Sequence, residues 1–184
     1  MSTRHPGRPK TLAALARRPA RITGVMLRDA TADDLDLLHD MLLEAFNWDG
    51  TPRFTRAQVV ADTHTARYLG GWKRPDDFGL VATDDGGHPL GAVWARALPA
   101  ATPGYGYVAD DVPEIGMAVA RPHHGRGVGS ALLAGCLAQA RGLGWRAVSL
   151  SVEDGNAAAR ALYTRHGFVV VGRNGGSDTM LREL

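Results

Sequence analysis

The residues best suited to chemistry form a glycine-rich turn, His124-Gly125-Arg126-Gly127-Val128-Gly129-Ser130. The apolar run Ile115-Gly116-Met117-Ala118-Val119 ends just before it, and Ala131-Leu132-Leu133 follows at once. That order reads as strand, turn, helix. Without Cβ atoms, Gly125, Gly127 and Gly129 let the backbone approach a bulky ligand. The helix opening here presents unpaired N–H groups and the positive end of its dipole, a ready site for phosphate or pyrophosphate. Two phosphate signatures fail. A P-loop needs a lysine after its last glycine, and the only lysines are Lys10 and Lys73. In the dinucleotide fingerprint the third glycine would fall on Ser130 or Leu132. A third pattern is a basic or polar residue, two residues, glycine, one residue, glycine. It fits His124-x-x-Gly127-x-Gly129, with His124 as the departure at its first position.

A second group lies further on: Asn156, then Leu162-Tyr163-Thr164-Arg165-His166-Gly167-Phe168. Tyr163 stands seven residues after Asn156. Seven steps of about 100° return to nearly the same helix face, so both side chains can meet one ligand. The plainer alternatives are an N-cap at Asn156 and a core aromatic at Tyr163. Through these two stretches the chain resembles the GNAT superfamily of acyl-CoA-dependent N-acyltransferases. The resemblance runs over roughly residues 26 to 184 and is strongest from Glu114 to Phe168. The family usually has Arg or Gln where this chain has His124.

The resemblance implies an α/β fold: a mixed sheet of about seven strands with helices on both faces, in the order βααβββαβαββ. It implies transfer of an acetyl group from acetyl-CoA to a primary amine by direct attack. The acceptor is first a small molecule, second a protein lysine or N-terminus. Such a reaction needs a neutral amine, stabilisation of the carbonyl oxygen, relief of the thiolate and close positioning of both substrates. By resemblance, Glu114 takes the amine proton, unless it is only a strand-end carboxylate; Asp110 and Asp111 are alternatives for the base. Tyr163 protonates the thiolate. The backbone of Met117, Ala118 and Val119 holds the pantetheine arm, and Asn156 and Tyr163 contact it. His124, Gly125, Gly127, Val128, Gly129 and Ser130 carry the pyrophosphate; Arg126 either adds a charge contact or is solvated. The acceptor wall falls to the 47–54 loop, the second helix, the 78–98 hairpin and the 105–111 loop. Trp48, Tyr105, Tyr107, Asp110 and Asp111, with Phe54, Trp72 and Trp94, suggest an aromatic, acid-edged pocket for a cationic amine. Packing of several of these rings in the core is the alternative. A module that binds acyl-CoA without turnover is the competing function.

The elements that position these groups follow from periodicity and punctuation. Residues 24–28 read as a strand. Thr31-x-x-Asp34 and Thr55-x-x-Gln58 are capping-box-like starts for helices over 32–46 and 55–69. Strands over 78–83 and 90–98 form a hairpin around Asp84-Asp85-Gly86-Gly87-His88. A strand over 114–119, a helix over 127–141, a strand over 147–152, a helix over 156–166 and strands over 168–171 and 179–181 complete the chain.

Composition narrows the class. With 184 residues, 45% hydrophobic and 22% charged, the chain suits one domain with a sizeable core. No stretch approaches the ~18 apolar residues of a membrane span. The single cysteine, Cys136, excludes an intrachain disulfide, reads as a packed apolar residue and fits a cytoplasmic setting. The histidines show no His-x-x-x-His pair, so no metal site is expected. Net charge is +2, but Arg4, Arg8, Lys10, Arg17, Arg18, Arg21 and Arg28 fall in the first 28 residues, which hold no acid. Residues 1–22 read as a disordered basic extension ahead of a single domain over 23–184, or as the product of an upstream start with Met26 near the true beginning. A nucleic-acid or anionic-lipid arm is the alternative. A homodimer is compatible with the sequence.

Overall fold

The computed structural model describes residues 20–22 and 24–184. Its elements are β1 (Ala20–Ile22), β2 (Val25–Asp29), α1 (Leu35–Phe46), α2 (Arg56–Ala61), α3 (Thr63–Ala66), β3 (Phe78–Thr83), β4 (Pro89–Arg96), β5 (Glu114–Val119), α4 (Val128–Gly142), β6 (Ala147–Glu153), α5 (Ala157–Arg165), β7 (Val169–Asn174) and β8 (Ser177–Glu183). The strands make one eight-stranded sheet in the order β1-β2-β3-β4-β5-β6-β8-β7. Every pairing is antiparallel except β5 with β6.

Side chains alternate across a strand, and here both faces are covered. Leu80 and Val93 join Leu132 and Leu133 of α4 in one apolar cluster. Their neighbours Val81 and Trp94 join Leu38 and Leu42 of α1 in the other. This is why β3 and β4 are apolar almost throughout rather than alternating. Cys136 is fully buried in the first cluster, and burial pushes its thiol up to about 12. It is therefore a packing residue.

Three local expectations change. Ala20–Ile22, expected within the extension, pair with Val25–Leu27 as an eighth, edge strand. The rest of the extension lies outside the described residues. The helix expected over 55–69 is two short helices. Asp62 turns to an extended conformation (ψ 127) and its carboxylate accepts from the His64 and Thr65 amides, capping a new start. Finally, β7 and β8 run longer than expected and pair up to Asn174 opposite Ser177, leaving Gly175-Gly176 as the turn. Among the described residues no helix is long and apolar enough to cross a membrane.

One irregularity in the sheet matters most. β5 and β6 pair at a single position, Glu114 with Ser149, extended by the Ser149 amide donating to the Pro113 carbonyl (3.0 Å). Beyond Glu114 the two parallel strands part. β5 remains paired along its other edge, Val119 opposite Gly91 through Glu114 opposite Arg96.

Candidate active site

The parting strands open a cleft of about 1110 Å³, lined by β5, the start of α4, the end of β6, α5 and the 46–54 segment. Along it, the N–H and C=O groups on the free edge of β5 form a strand-like template. At its far end α4 begins at Gly127, which takes φ +80° and offers no side-chain cap. Gly125 is also left-handed, at φ +72°. The first amides of an α-helix lack internal acceptors, so those of α4 are free for an anion at the positive end of the dipole. His124 lines the cleft, and its Nε2 donates to the Val119 carbonyl (2.7 Å), tying the turn to the end of β5. Ser130 Oγ bonds His166 Nε2 (2.8 Å), joining the first turn of α4 to the end of α5. Burial holds the His166 imidazole below its ordinary pKa. Arg126 is exposed and does not line the cleft.

Where the strands separate sits Glu114, only 4% exposed. Its Oε1 accepts from the Tyr68 hydroxyl and the Gly106 amide, each at 2.9 Å. Its Oε2 is buried with no hydrogen-bond partner among the described residues. Desolvation pushes the carboxyl up to about 7, against the bonds from Gly106 and Tyr68 and the charge of Arg67, which favour ionisation. Burial and the neighbouring carboxylate push the Tyr68 phenol far above its usual value. Tyr68 is therefore a fixed donor to Glu114, and its oxygen in turn accepts from the Tyr105 amide (2.7 Å). A Cβ at Gly104 would overlap Glu114 Oε2 and stand 2.8 Å from the Tyr68 hydroxyl. Gly104→Ala is accordingly expected to cost about 1–3 kcal/mol by overpacking and to lower Tm by roughly 2–10 °C; calorimetric melting measures it.

On the α5 side, Asn156 and Tyr163 do face one cleft. Asn156 caps the helix, accepting from the Ala159 amide (3.1 Å), and also lines the cleft. Tyr163 lines the same cleft, packed against Phe168 with ring centroids 5.9 Å apart. Burial pushes its phenol up to about 12.

The opposite wall is aromatic. Trp48 Nε1 donates to Glu153 (2.7 Å), and Arg53 forms a two-pronged bond with the same carboxylate (2.6 and 3.0 Å). Arg53 also donates to the Phe46 carbonyl (2.7 Å). These bonds strap the 46–54 segment to the end of β6. Trp94 forms part of the wall with its Nε1 buried and without a partner among the described residues, and it fits only because Gly116 beneath it has no Cβ, which would lie 2.5 Å away.

The structure does not bring every expected residue to the cleft. Tyr107 and Asp110 bond each other on the surface (2.7 Å), and Asp110 also accepts from the Ala100 amide. Asp111 is drawn to Arg146 (2.7 and 2.8 Å), which holds its carboxyl below the usual range. Trp72 packs in the core, donating to the Thr31 carbonyl. Tyr68, Phe46, Arg53 and Glu153 are the residues that sequence reasoning missed. Tyr68 meets partners 37 and 46 residues away, a relation that leaves no local spacing to read. Among the described residues, no group of three or more His, Cys, Asp or Glu could hold a metal ion.

Known proteins share this architecture. The chain matches the model of the acetyltransferase (GNAT) family over residues 36–168. No curated protein matches it. It is similar to the crystal structure of the GNAT domain of S. lividans PAT at 24% identity, covering 87% of this chain and 90% of that one, with a TM-score of 0.64. It is similar to the ribosomal-protein-alanine N-acetyltransferase of Brucella melitensis at 23% identity, covering 86% and 99%, with a TM-score of 0.62. The PaiA N-acetyltransferase of Thermoplasma acidophilum, solved in complex with coenzyme A, is 15% identical, with coverage of 87% and 99% and a TM-score of 0.61. At these identities the likeness is one of fold. Because the family match takes in more than two thirds of the sequence, from within α1 to Phe168, the chain belongs to the GNAT acetyltransferase family.

Proposed function

We propose that the protein transfers an acetyl group from acetyl-CoA to a primary amine, with Glu114 receiving the amine proton and Tyr163 supplying a proton to the departing sulfur. The observation that carries this reading is the buried Oε2 of Glu114, without a hydrogen-bond partner among the described residues, in a cleft whose other wall holds the Tyr163 ring. A module that only bound acyl-CoA would gain nothing from the desolvation of that carboxyl.

Three features suit the thioester substrate. The left-handed Gly127 leaves the α4 amides open to a pyrophosphate. The free edge of β5 can pair with the amides of a pantetheine arm through Met117 and the Val119 N–H, whereas Ala118, opposite Ala92, turns its backbone groups to β4. Asn156 and Tyr163 line the cleft between α5 and that edge. Acetyl-CoA supplies a carbonyl carbon activated by its thioester; attack by the amine forms the C–N bond and breaks the C–S bond. Over the reaction one proton leaves the nitrogen and one reaches sulfur. Glu114, with its pKa near 7, is mostly ionised at pH 8 and can accept the first, directly or through a water. The Tyr163 phenol, kept neutral by burial, can give the second and recover it from solvent. N–H groups on the open edge of β5 supply donors for the carbonyl oxygen.

Tyr163→Phe keeps the ring and its contact with Phe168. We expect it to lower kcat about 10- to 100-fold, toward the lower end of general acid effects, with little change in KM for acetyl-CoA. Steady-state thiol release measures this, and an unchanged kcat from pH 6 to 9 would remove Tyr163 from the role. The wider test is thiol release from acetyl-CoA across a panel of amines at pH 8: turnover of at least one amine is expected, and none would leave the binding-only alternative standing.

A further inference from the structure

We infer that the acceptor is a monoamine with an aromatic or branched apolar body, in preference to a polyamine or a lysine side chain set among charges; the inference rests on the transferase reading of this cleft.

A polyamine or a lysine in a charged peptide presents more than one cation, so its site needs acids beyond the one serving the reacting nitrogen. Three carboxylates line the cleft: Glu44, Glu114 and Glu153. Two are already neutralised. Glu153 is held by both prongs of Arg53 and by Trp48, which keep its carboxyl below the usual range. Glu44 is compensated by charge alone: its Oε1 lies 2.8 Å from Arg121 Nε but makes no hydrogen bond among the described residues. Asp62, close to Tyr105, spends Oδ1 on the amides that open α3. Asp110 and Asp111, expected from sequence to edge the pocket, lie outside it in their own pairings. Among the described residues, Glu114 is then the one carboxylate of the lining with no cationic side chain paired to it, so a second ammonium would have to displace an arginine.

Apolar surface is supplied instead. From Glu114 the bond to Tyr68 leads to Tyr105, whose ring stacks on Tyr68 with centroids 6.4 Å apart and planes 14° from parallel. Tyr105 meets Phe46 edge-on at 6.2 Å, and Phe46 meets Phe54 at 5.5 Å. These four rings carry no charge; Arg53, which borders Phe46 and Phe54, is taken up by Glu153, and the His64 ring packs on Tyr105 at 4.4 Å. At the open rim Phe54 and Tyr105 remain 39% and 37% exposed, large rings left facing water. An amine whose nitrogen reaches Glu114 lays its body along these faces, where aromatic and aliphatic groups are favoured.

The test compares kcat/KM for 2-phenylethylamine and isopentylamine with that for 1,5-diaminopentane, spermidine and a lysine-containing peptide, with acetyl-CoA as donor. We expect a preference of at least tenfold for the apolar monoamines. Phe54→Ala, at a partly exposed position, should raise KM for 2-phenylethylamine about tenfold, with the loss falling on KM rather than kcat. Equal or better use of the polyamines or the peptide, or a preference untouched by Phe54→Ala, would overturn the inference and leave the transferase reading intact. Quenching of tryptophan fluorescence by 2-phenylethylamine but not by spermidine, with no thiol release from any amine, would uphold the apolar amine site and remove the transferase reading. Neither quenching nor release would overturn both.

Discussion

Glu114→Gln should lower kcat/KM at pH 8 by about 10²- to 10⁴-fold, the usual range for loss of a general base. Glutamine keeps the shape and can still accept from the Tyr68 hydroxyl and the Gly106 amide, so the fold should survive. The pH profile makes the prediction specific. With the folded pKa raised to about 7, the wild-type carboxylate forms between pH 6 and 8, and kcat/KM should rise through that window. The variant should retain only the slope set by the amine's own titration, near ~10 for an alkyl amine. Stability should move the opposite way. A carboxyl whose folded pKa lies above its ordinary 4.5 binds more protons folded than unfolded. Stability is then lost as pH rises from 4.5 through 7. The advantage of Glu114→Gln over wild type should therefore grow by roughly 3 kcal/mol between pH 4 and pH 8, since a tenfold difference in proton affinity between the folded and unfolded chain is worth about 1.4 kcal/mol. Denaturant titrations at the two pH values measure this. A loss of activity with no gain in relative stability at high pH would mean that Glu114 is not a strained buried acid.

Gly127→Glu should weaken acetyl-CoA binding by at least about 100-fold. Residue 127 holds φ +80° where α4 begins, and a side chain there is strained by about 1–2 kcal/mol. Space is not the obstacle, since a Cβ would have nothing within 4 Å. The main effect is a carboxylate set beside the free amides that we assign to the pyrophosphate, where it would compete for them and repel the ligand. Gly127→Ala is the control for strain alone and should bind several-fold more weakly than wild type. Isothermal titration of both variants separates the two causes. Equal affinity in the two variants would remove charge from the explanation.

What sequence could reveal about this site was what lies close along the chain. The turn at 124–130 and the seven-residue step from Asn156 to Tyr163 are local patterns, and each survives folding as a cleft wall. The hairpin of β3 and β4 and the antiparallel end of the sheet were legible for the same reason. Proximity to Glu114 in sequence misled for Asp110 and Asp111. Val112 and Pro113 carry the chain from an exposed turn into the sheet, and Arg146 captures Asp111 from 35 residues away. The bonds that prepare Glu114 come from Tyr68 and Gly106, on separate segments whose meeting depends on how α3 and the 99–113 loop pack over β5. The break at Asp62 lies inside what periodicity reads as one helix, and it is set by the Asp62 carboxylate accepting from the His64 and Thr65 amides. β1 sits in an Arg- and Pro-rich stretch, where only pairing with β2 makes it a strand.

A crystal structure of the full chain with acetyl-CoA would decide whether the opening between β5 and β6 is the coenzyme site. We expect a pyrophosphate within hydrogen-bond distance of the amides of residues 125–130, a pantetheine arm along the open edge of β5, and the thioester between Glu114 and Tyr163. Coenzyme bound elsewhere, or a pyrophosphate held away from the start of α4, would contradict that assignment.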